Sequence, residues 1–335
     1  LTIEDVLAKL DKKTRDRVMM AADINIQRYP WASVQTTVAT GGLARGRIHL
    51  LYGNRSSGKS LLAMQTVGLL QRQYGLTAAI IDSEGTTDPF FIEKFGVDSK
   101  KLLVSHDKSF LKAGEAAVDF LKAGVDILIV DSISTLIPEQ FLDGDEIKNA
   151  DGQKQMGARA KSVGVLMNTI HYANDCDAII IVISQAKMVM GAKVPSIMAD
   201  GGKAMEHAAS QIFKVTASPA ESQQIKGDYI IGDRILQKPI GREVSLLVEK
   251  NKLGPASQAI KYNMYYAGMD IGIDTYEEVV TLGTEMGIFD KSGTWLSYNG
   301  QKWQGSKQVA TAMRAEPDLY AEIQKKVYDS VGMKL

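Results

Sequence analysis

The stretch Gly53-Asn54-Arg55-Ser56-Ser57-Gly58-Lys59-Ser60 has the residue types and spacing of a phosphate-binding loop, or P-loop. Its glycines let successive backbone N–H groups turn inward on an anion, and a helix beginning at its end points its positive pole at the same place. Lys59 supplies a cation and Ser60 a hydroxyl that can ligate magnesium. Position 61, counted with this run of serines, is given no ligand role. Such a loop needs a second acid for the metal. Ile127-Leu128-Ile129-Val130-Asp131 ends an apolar run in a suitable carboxylate, although an Asp standing alone after a strand more often just caps the turn. Asp82-Ser83-Glu84 closes another apolar run with two carboxylates. Residues i and i+2 on a strand share a face, so one is expected to serve structure and the other to orient or deprotonate water.

These groups act together only if strands deliver them to one edge of a sheet. Short β-branched runs predict strands buried on both faces at 47–52, 77–82, 126–131 and 178–184, with helices at 60–73, 109–122 and 156–172 between them. That alternation is the signature of a doubly wound α/β core. Strand signals then continue without helices at 211–217, 243–250 and 258–265, which predicts an antiparallel extension of the sheet. Beyond Gly268 the texture changes to a helix over 275–286, a hairpin over 293–300 with Ser297-Tyr298-Asn299-Gly300 at its turn, and two helices divided at Pro317, read as a small second domain. At the other end, Ile3, Val6, Leu7 and Leu10 recur at helical spacing, so the first twenty residues or so predict an amphipathic helix. The stretch 28–46, with Pro30, Trp31, Gly41, Gly42 and Gly46, reads as linker and turns.

Composition narrows the classes further. With 45% hydrophobic and 23% charged residues in 335, the chain is neither disordered nor coiled coil. Lys plus Arg equals Asp plus Glu at 39 each, so any grip on nucleic acid must come from locally gathered cations. A lone cysteine, Cys176, rules out a disulfide framework and suits a reducing cytoplasm. His49, His106 and His171 lack metal-ligand spacing, and the longest apolar run, 178–183, is far too short to cross a bilayer.

Gly41-Gly42-Leu43 through Tyr52, the P-loop, Ile81-Asp82-Ser83-Glu84 with Asp88-Pro89, Phe95-Gly96-Val97-Asp98 and Val130-Asp131-Ser132 follow one another in the order and spacing of the RecA recombinase family. Ser184-Gln185, Gly201-Gly202-Lys203, Lys250-Asn251-Lys252 and Gly293-Thr294-Trp295 with Ser297-Tyr298 continue the resemblance from Gly41 to the C-terminus. It implies a RecA-like P-loop NTPase core with a mostly parallel central sheet flanked by helices, an N-terminal helix and a small α+β C-terminal domain. The corresponding boundaries are 1–30 for a docking helix and linker, 31–268 for the ATPase core and 269–335 for the small domain.

The resemblance also implies roles. Glu84 resembles the carboxylate that activates water, Asp88 the adenine contact, and Phe91 the ring that stacks on the base. Gln185 resembles the γ-phosphate sensor, while Lys250 and Lys252 resemble the pair that reaches the ATP of a neighbouring subunit. Loops at about 143–156 and 186–203 fall where the family binds DNA. There Met156, Met188 and Val189 could wedge between bases while Lys161, Lys187, Lys193 and Lys203, beside Gly201 and Gly202, approach the backbone. Read without the family, both are equally well ordinary surface loops.

The leading expectation is therefore a cytoplasmic, Mg2+- and ATP-dependent recombinase that polymerises head to tail on single-stranded DNA and pairs it with homologous duplex. The alternatives are a ring-forming helicase motor on the same core and a non-hydrolysing ATP-binding scaffold. Asn168 stands where an Arg is expected, Glu206 and His207 replace a Lys and a Phe, and Arg55 replaces an acid in the P-loop. These departures suggest a divergent, phage-encoded relative.

Overall fold

The computed structural model describes residues 1–142, 152–175, 177–188, 197–218, 220, 223–231, 233–268 and 271–333, without the side chains of 152–156, 230 and 231. The core strands are β1 (Ile48–Gly53), β2 (Ala78–Asp82), β3 (Leu102–Ser105), β4 (Ile127–Asp131), β5 (Ile179–Met188), β6 (Gln211–Ala217), β7 (Gln224–Ile231), β8 (Arg234–Asn251) and β9 (Ala259–Tyr265). Three helices pack on them: α1 (Lys59–Tyr74), α2 (Phe110–Lys122) and α3 (Gly152–Ala173). Across the sheet the order runs β9-β8-β6-β1-β5-β4-β2-β3. From β6 to β3 every neighbouring pair is parallel, while β8 and β9 add on antiparallel beyond β6.

The uninterrupted apolar runs follow from burial on both faces. Ile127 and Ile129 enter one core while Leu128 and Val130 enter the other, and Ile179, Ile181 and Ile183 alternate in the same way with Ile180 and Val182. Helix α1 covers the first face with Leu62, Ala63, Val67 and Leu70. Helices α2 and α3 cover the second through Phe110, Ala117, Leu121, Val163, Met167 and Ile170.

Three expectations change. The stretch 28–46 is core rather than linker: Arg28–Tyr29 pairs with Leu43–Ala44, Val34–Thr40 is helical, and Trp31 is fully buried edge-on to Phe213. Its hydroxyls make this burial tolerable, with Thr37 accepting from Trp31 N and Thr66 from Ala32 N. The N-terminal helix is two short pieces, Ile3–Lys9 and Lys12–Arg15, because Asp11 caps a new start. Neither piece buries a residue, and Ile3, Val6, Val18, Met19 and Met20 are exposed. The strand expected at 243–250 starts at Arg234 and forms a long hairpin with β7, a strand whose polar, glycine-containing sequence hid it.

The small C-terminal unit has its own core of Val279, Phe289, Leu296, Val309, Met313, Ile323 and Val327. Its hairpin is part of a three-stranded sheet, Asp290–Ser292, Trp295–Tyr298 and Gln301–Gln304, turning at Asn299-Gly300 rather than including Ser297-Tyr298 in the turn. The unit is tied to the rest by Glu278 on helix Thr275–Glu285. This fully buried carboxyl accepts from Ser33 Oγ (2.5 Å) and Val34 N (2.7 Å) at the start of helix Val34–Thr40. Burial pushes it up to about 8, against the pull of those hydrogen bonds and with help from the nearby Asp274.

A carboxyl raised in the folded state binds its proton more tightly there than in the unfolded chain. Its contribution to stability is full below about pH 4.5 and is lost as pH rises through about 8. Thermal unfolding across pH 5–8.5 should therefore show a downward slope for the parent that is clearly shallower for Glu278→Gln; superimposable slopes would refute this account of the junction.

Candidate nucleotide site

Lys59, Ser60, Asp131 and Glu84 lie at the carboxyl edge of the parallel strands. The P-loop leaves β1 at Gly53, where an added Cβ would lie 1.9 Å from Val215 O of the neighbouring β6, so no larger residue fits. Gly58 adopts a left-handed φ of 96° just before α1 begins at Lys59. Lys59 folds back over the loop, its ammonium donating to Asn54 O (2.7 Å), Gly53 O (3.1 Å) and Ser57 Oγ (3.4 Å). Burial lowers the pKa of this lysine, opposed by the negative charges of Asp131 and Glu84. The residue at position 61 is a leucine, not a further serine. Leu61 lies half-buried in the first turn of α1 and packs against the first core, so the hydroxyls of the loop end at Ser60.

The β2–β4 and β4–β5 registers place Asp131 one strand away from β1's neighbour. Burial pushes Asp131 up to about 6, with Glu84 and Asp82 adding to the rise and Ser60 and Lys59 opposing it. A hydroxyl and a carboxylate are hard oxygen donors that suit Mg2+, which takes few protein ligands and completes its shell with phosphate and water.

The two acids after β2 divide differently from the strand-face expectation. The strand stops at Asp82, so Glu84 lies in the following loop, exposed, with its Oε1 accepting from Ser132 Oγ at 3.0 Å. Asp82 is buried and spends both oxygens on the loop, accepting from Gly85 N (2.9 Å) and Thr87 N (2.7 Å). Asp88 caps helix Pro89–Glu93 through Phe90 N (2.9 Å), and the half-exposed Phe91 packs edge-on against Phe95. Among the described residues neither shares a hydrogen bond or ring contact with the P-loop.

Gln185 of β5 stands opposite Gly53 in register, and Arg55 Nε approaches its Oε1 at 3.4 Å. The Gln185 carbonyl accepts from Asp200 N, and its N–H donates to Ser134 Oγ. Past this point the second expected loop is partly ordered: β5 runs to Met188 and pairs with Ile197–Ala199, and helix Gly202–Ala208 begins at Gly202. Its left-handed Gly202 and exposed Lys203 are therefore helix-start residues, not loop. Lys187 is not free: its ammonium lies 2.7 Å from Asp200, which also pairs with Arg159. Arg159 was missed by sequence reading; it additionally donates to Ile133 O and Leu136 O at 2.7 Å each. Met188 and Lys161 are exposed. The side chain of Met156 and residues 143–151 and 189–196, with Val189 and Lys193, lie outside the described residues.

Lys250 and Lys252 are not brought to the P-loop of their own chain. Lys250 is in register with Ile212 and, through it, Leu50, and β8 runs from there toward the amino edge of β1. The Lys250 ammonium donates to Glu206 O (2.5 Å), while Lys252 is exposed. Arg242 and Met264 approach the P-loop without any sequence signal, because strand pairing alone brings them there. Arg242 donates to Ser56 O (3.2 Å) and lies over the Tyr266 ring, lining with Met264 and Leu61 a cleft of about 270 Å³.

Comparison with known proteins places this geometry in context. The family model for the RecA N-terminal domain matches residues 2–271, and that for the RecA C-terminal domain matches residues 277–332. Protein RecA of Frankia casuarinae is 32% identical over 341 residues, covering 99% of this chain and 93% of its own. Protein RecA of Rhizobium leguminosarum bv. trifolii is 31% identical over 299 residues (88% and 77%), and that of Thioalkalivibrio sulfidiphilus 32% over 298 (88% and 81%). The match begins far ahead of Gly41, where the motif resemblance starts.

Asp82→Ala removes two charge-assisted hydrogen bonds between a buried carboxylate and the exposed loop it holds, and should cost about 2–4 kcal/mol in urea unfolding. A loss below about 0.5 kcal/mol would show that the loop carrying Glu84 does not depend on it.

Proposed function

This chain belongs to the RecA family of recombinases, and we propose that it is a DNA-dependent ATPase that assembles head to tail on single-stranded DNA and promotes pairing and strand exchange with homologous duplex. The observation that carries this reading is the division of the cations. Lys59, Ser60, Asp131 and Glu84 gather at one edge of the sheet, while Lys250 and Lys252 leave toward the other.

A single chain thus carries a site and the means to complete a different copy of that site. The P-loop N–H groups and Lys59 would hold the phosphates of ATP, and Ser60 with Asp131 would hold Mg2+, which draws charge off the phosphoryl oxygens. Glu84, which accepts from Ser132, would orient the attacking water. Lys250 and Lys252 of the next copy would meet the charge developing on the transferred group, so hydrolysis would wait on assembly. A head-to-tail contact that does not close gives a helix rather than a ring, and the exposed apolar residues of the N-terminal pieces supply a surface for it. The segments at about 143–156 and 186–203, with Lys161 beside the first and Lys187 and Lys203 in the second, would meet the polynucleotide, and a cytoplasmic location suits a DNA substrate.

ATP turnover should rise at least about tenfold on adding single-stranded DNA. Lys250→Ala should retain nucleotide binding but lose most of that stimulation, whereas Glu84→Gln should lower kcat about 10²-fold or more. Turnover indifferent to DNA, in a protein that stays monomeric with both ligands present, would refute the reading.

A further inference from the structure

We propose that Arg55 is a second phosphate cation of this P-loop, one that exchanges Gln185 for the terminal phosphate of a bound nucleoside triphosphate. The inference rests on the nucleotide-site reading above and assigns a residue that reading leaves without work.

The two cations of the loop are in opposite conditions. Lys59 is buried and fully engaged by three acceptors of the loop itself. Arg55 is exposed and holds one long hydrogen bond, 3.4 Å to the neutral amide oxygen of Gln185, and no carboxylate lies within ion-pair distance among the described residues. A guanidinium gains more from a doubly charged phosphate oxygen cluster than from a single amide oxygen, because the charge-assisted bond is stronger and the planar fork can make two of them. The exchange partner is set by register. Gln185 stands opposite Gly53, so Arg55 spans from the loop to the neighbouring strand β5.

Releasing Gln185 has a mechanical consequence. Its carbonyl accepts Asp200 N, and Asp200 holds both Lys187 and Arg159. The side-chain amide that meets Arg55 and the main-chain carbonyl that meets Asp200 belong to one residue, so Gln185 stands between Arg55 and the residue that tethers Lys187, a cation on the proposed polynucleotide surface. A triphosphate that takes Arg55 away frees the Gln185 side chain beside that tether, and if this raises polynucleotide affinity, linkage requires bound polynucleotide to favour the triphosphate by the same factor.

The test uses the full chain with Mg2+, comparing Arg55→Ala and Arg55→Lys with the parent. Calorimetry with ADP and with a nonhydrolysable ATP analogue should show the preference for the triphosphate falling about five- to tenfold in Arg55→Ala, with ADP affinity within about twofold and part of the loss restored in Arg55→Lys. Anisotropy of a labelled oligothymidylate should show a smaller triphosphate-induced gain in DNA affinity for Arg55→Ala. An unchanged triphosphate-to-diphosphate ratio overturns the proposal, as does an equal loss for both nucleotides. A reduced ratio with an unchanged DNA gain keeps the phosphate contact and overturns the release of Gln185. A parent chain that binds neither nucleotide refutes the site reading itself, an outcome separate from failure of Arg55 alone.

Discussion

The parallel pairing of β1 with β5 on one side and β6 on the other is the constraint on which the rest depends. Parallel strands all end at the same edge, so fixing the register of β1 fixes the neighbourhood of the P-loop: Gln185 opposite Gly53, Asp131 two strands away, and the Asp82–Glu84 loop beyond it. The cost is a crowded junction. Gly53 runs so close to Val215 O that a side chain is excluded, and the loop must reverse through left-handed backbone before α1 can begin.

Charge at that edge is uneven in a way that suits an anionic ligand. Lys59 is buried against backbone carbonyls, a configuration that loses ammonium hydration and recovers it only through the loop. Asp131 is held among other acids and driven upward by burial. Both disfavoured ionised groups gain when a phosphate chain and a divalent cation enter together, since each then meets the opposite charge it lacks. Hydroxyls do the positioning: Ser132 holds Glu84 and Ser134 fixes the Gln185 backbone.

A second layer of polar contacts links this edge to the surface. Asp200, nearly buried, gathers Lys187 and Arg159, and Arg159 in turn ties the loop after β4 through two carbonyls. Gln185, beside the P-loop, thus shares Asp200 with Lys187 and Arg159. At the opposite end of the chain, buried Glu278 anchors the small unit to the segment 28–46, so that segment acts as a structural hub rather than a spacer.

The P-loop, the Asp131 and Asp82–Glu84 strand ends and the α/β alternation were all legible in the sequence, because each depends on local spacing and on apolar runs that only a doubly covered sheet can bury. Motif order also carried the family. What composition and periodicity could not reach was decided by packing between distant segments. Trp31 became core because Phe213 and Thr37 meet it, Asp82 became a loop anchor because β2 ends two residues short of Glu84, where a shared strand face would need it to reach, and Arg242 reached the P-loop only through the pairing of β8. Spacing along a chain fixes which groups lie on one element. Which elements touch depends on strand order and register, and these are settled by the summed burial of many side chains rather than by any local signal.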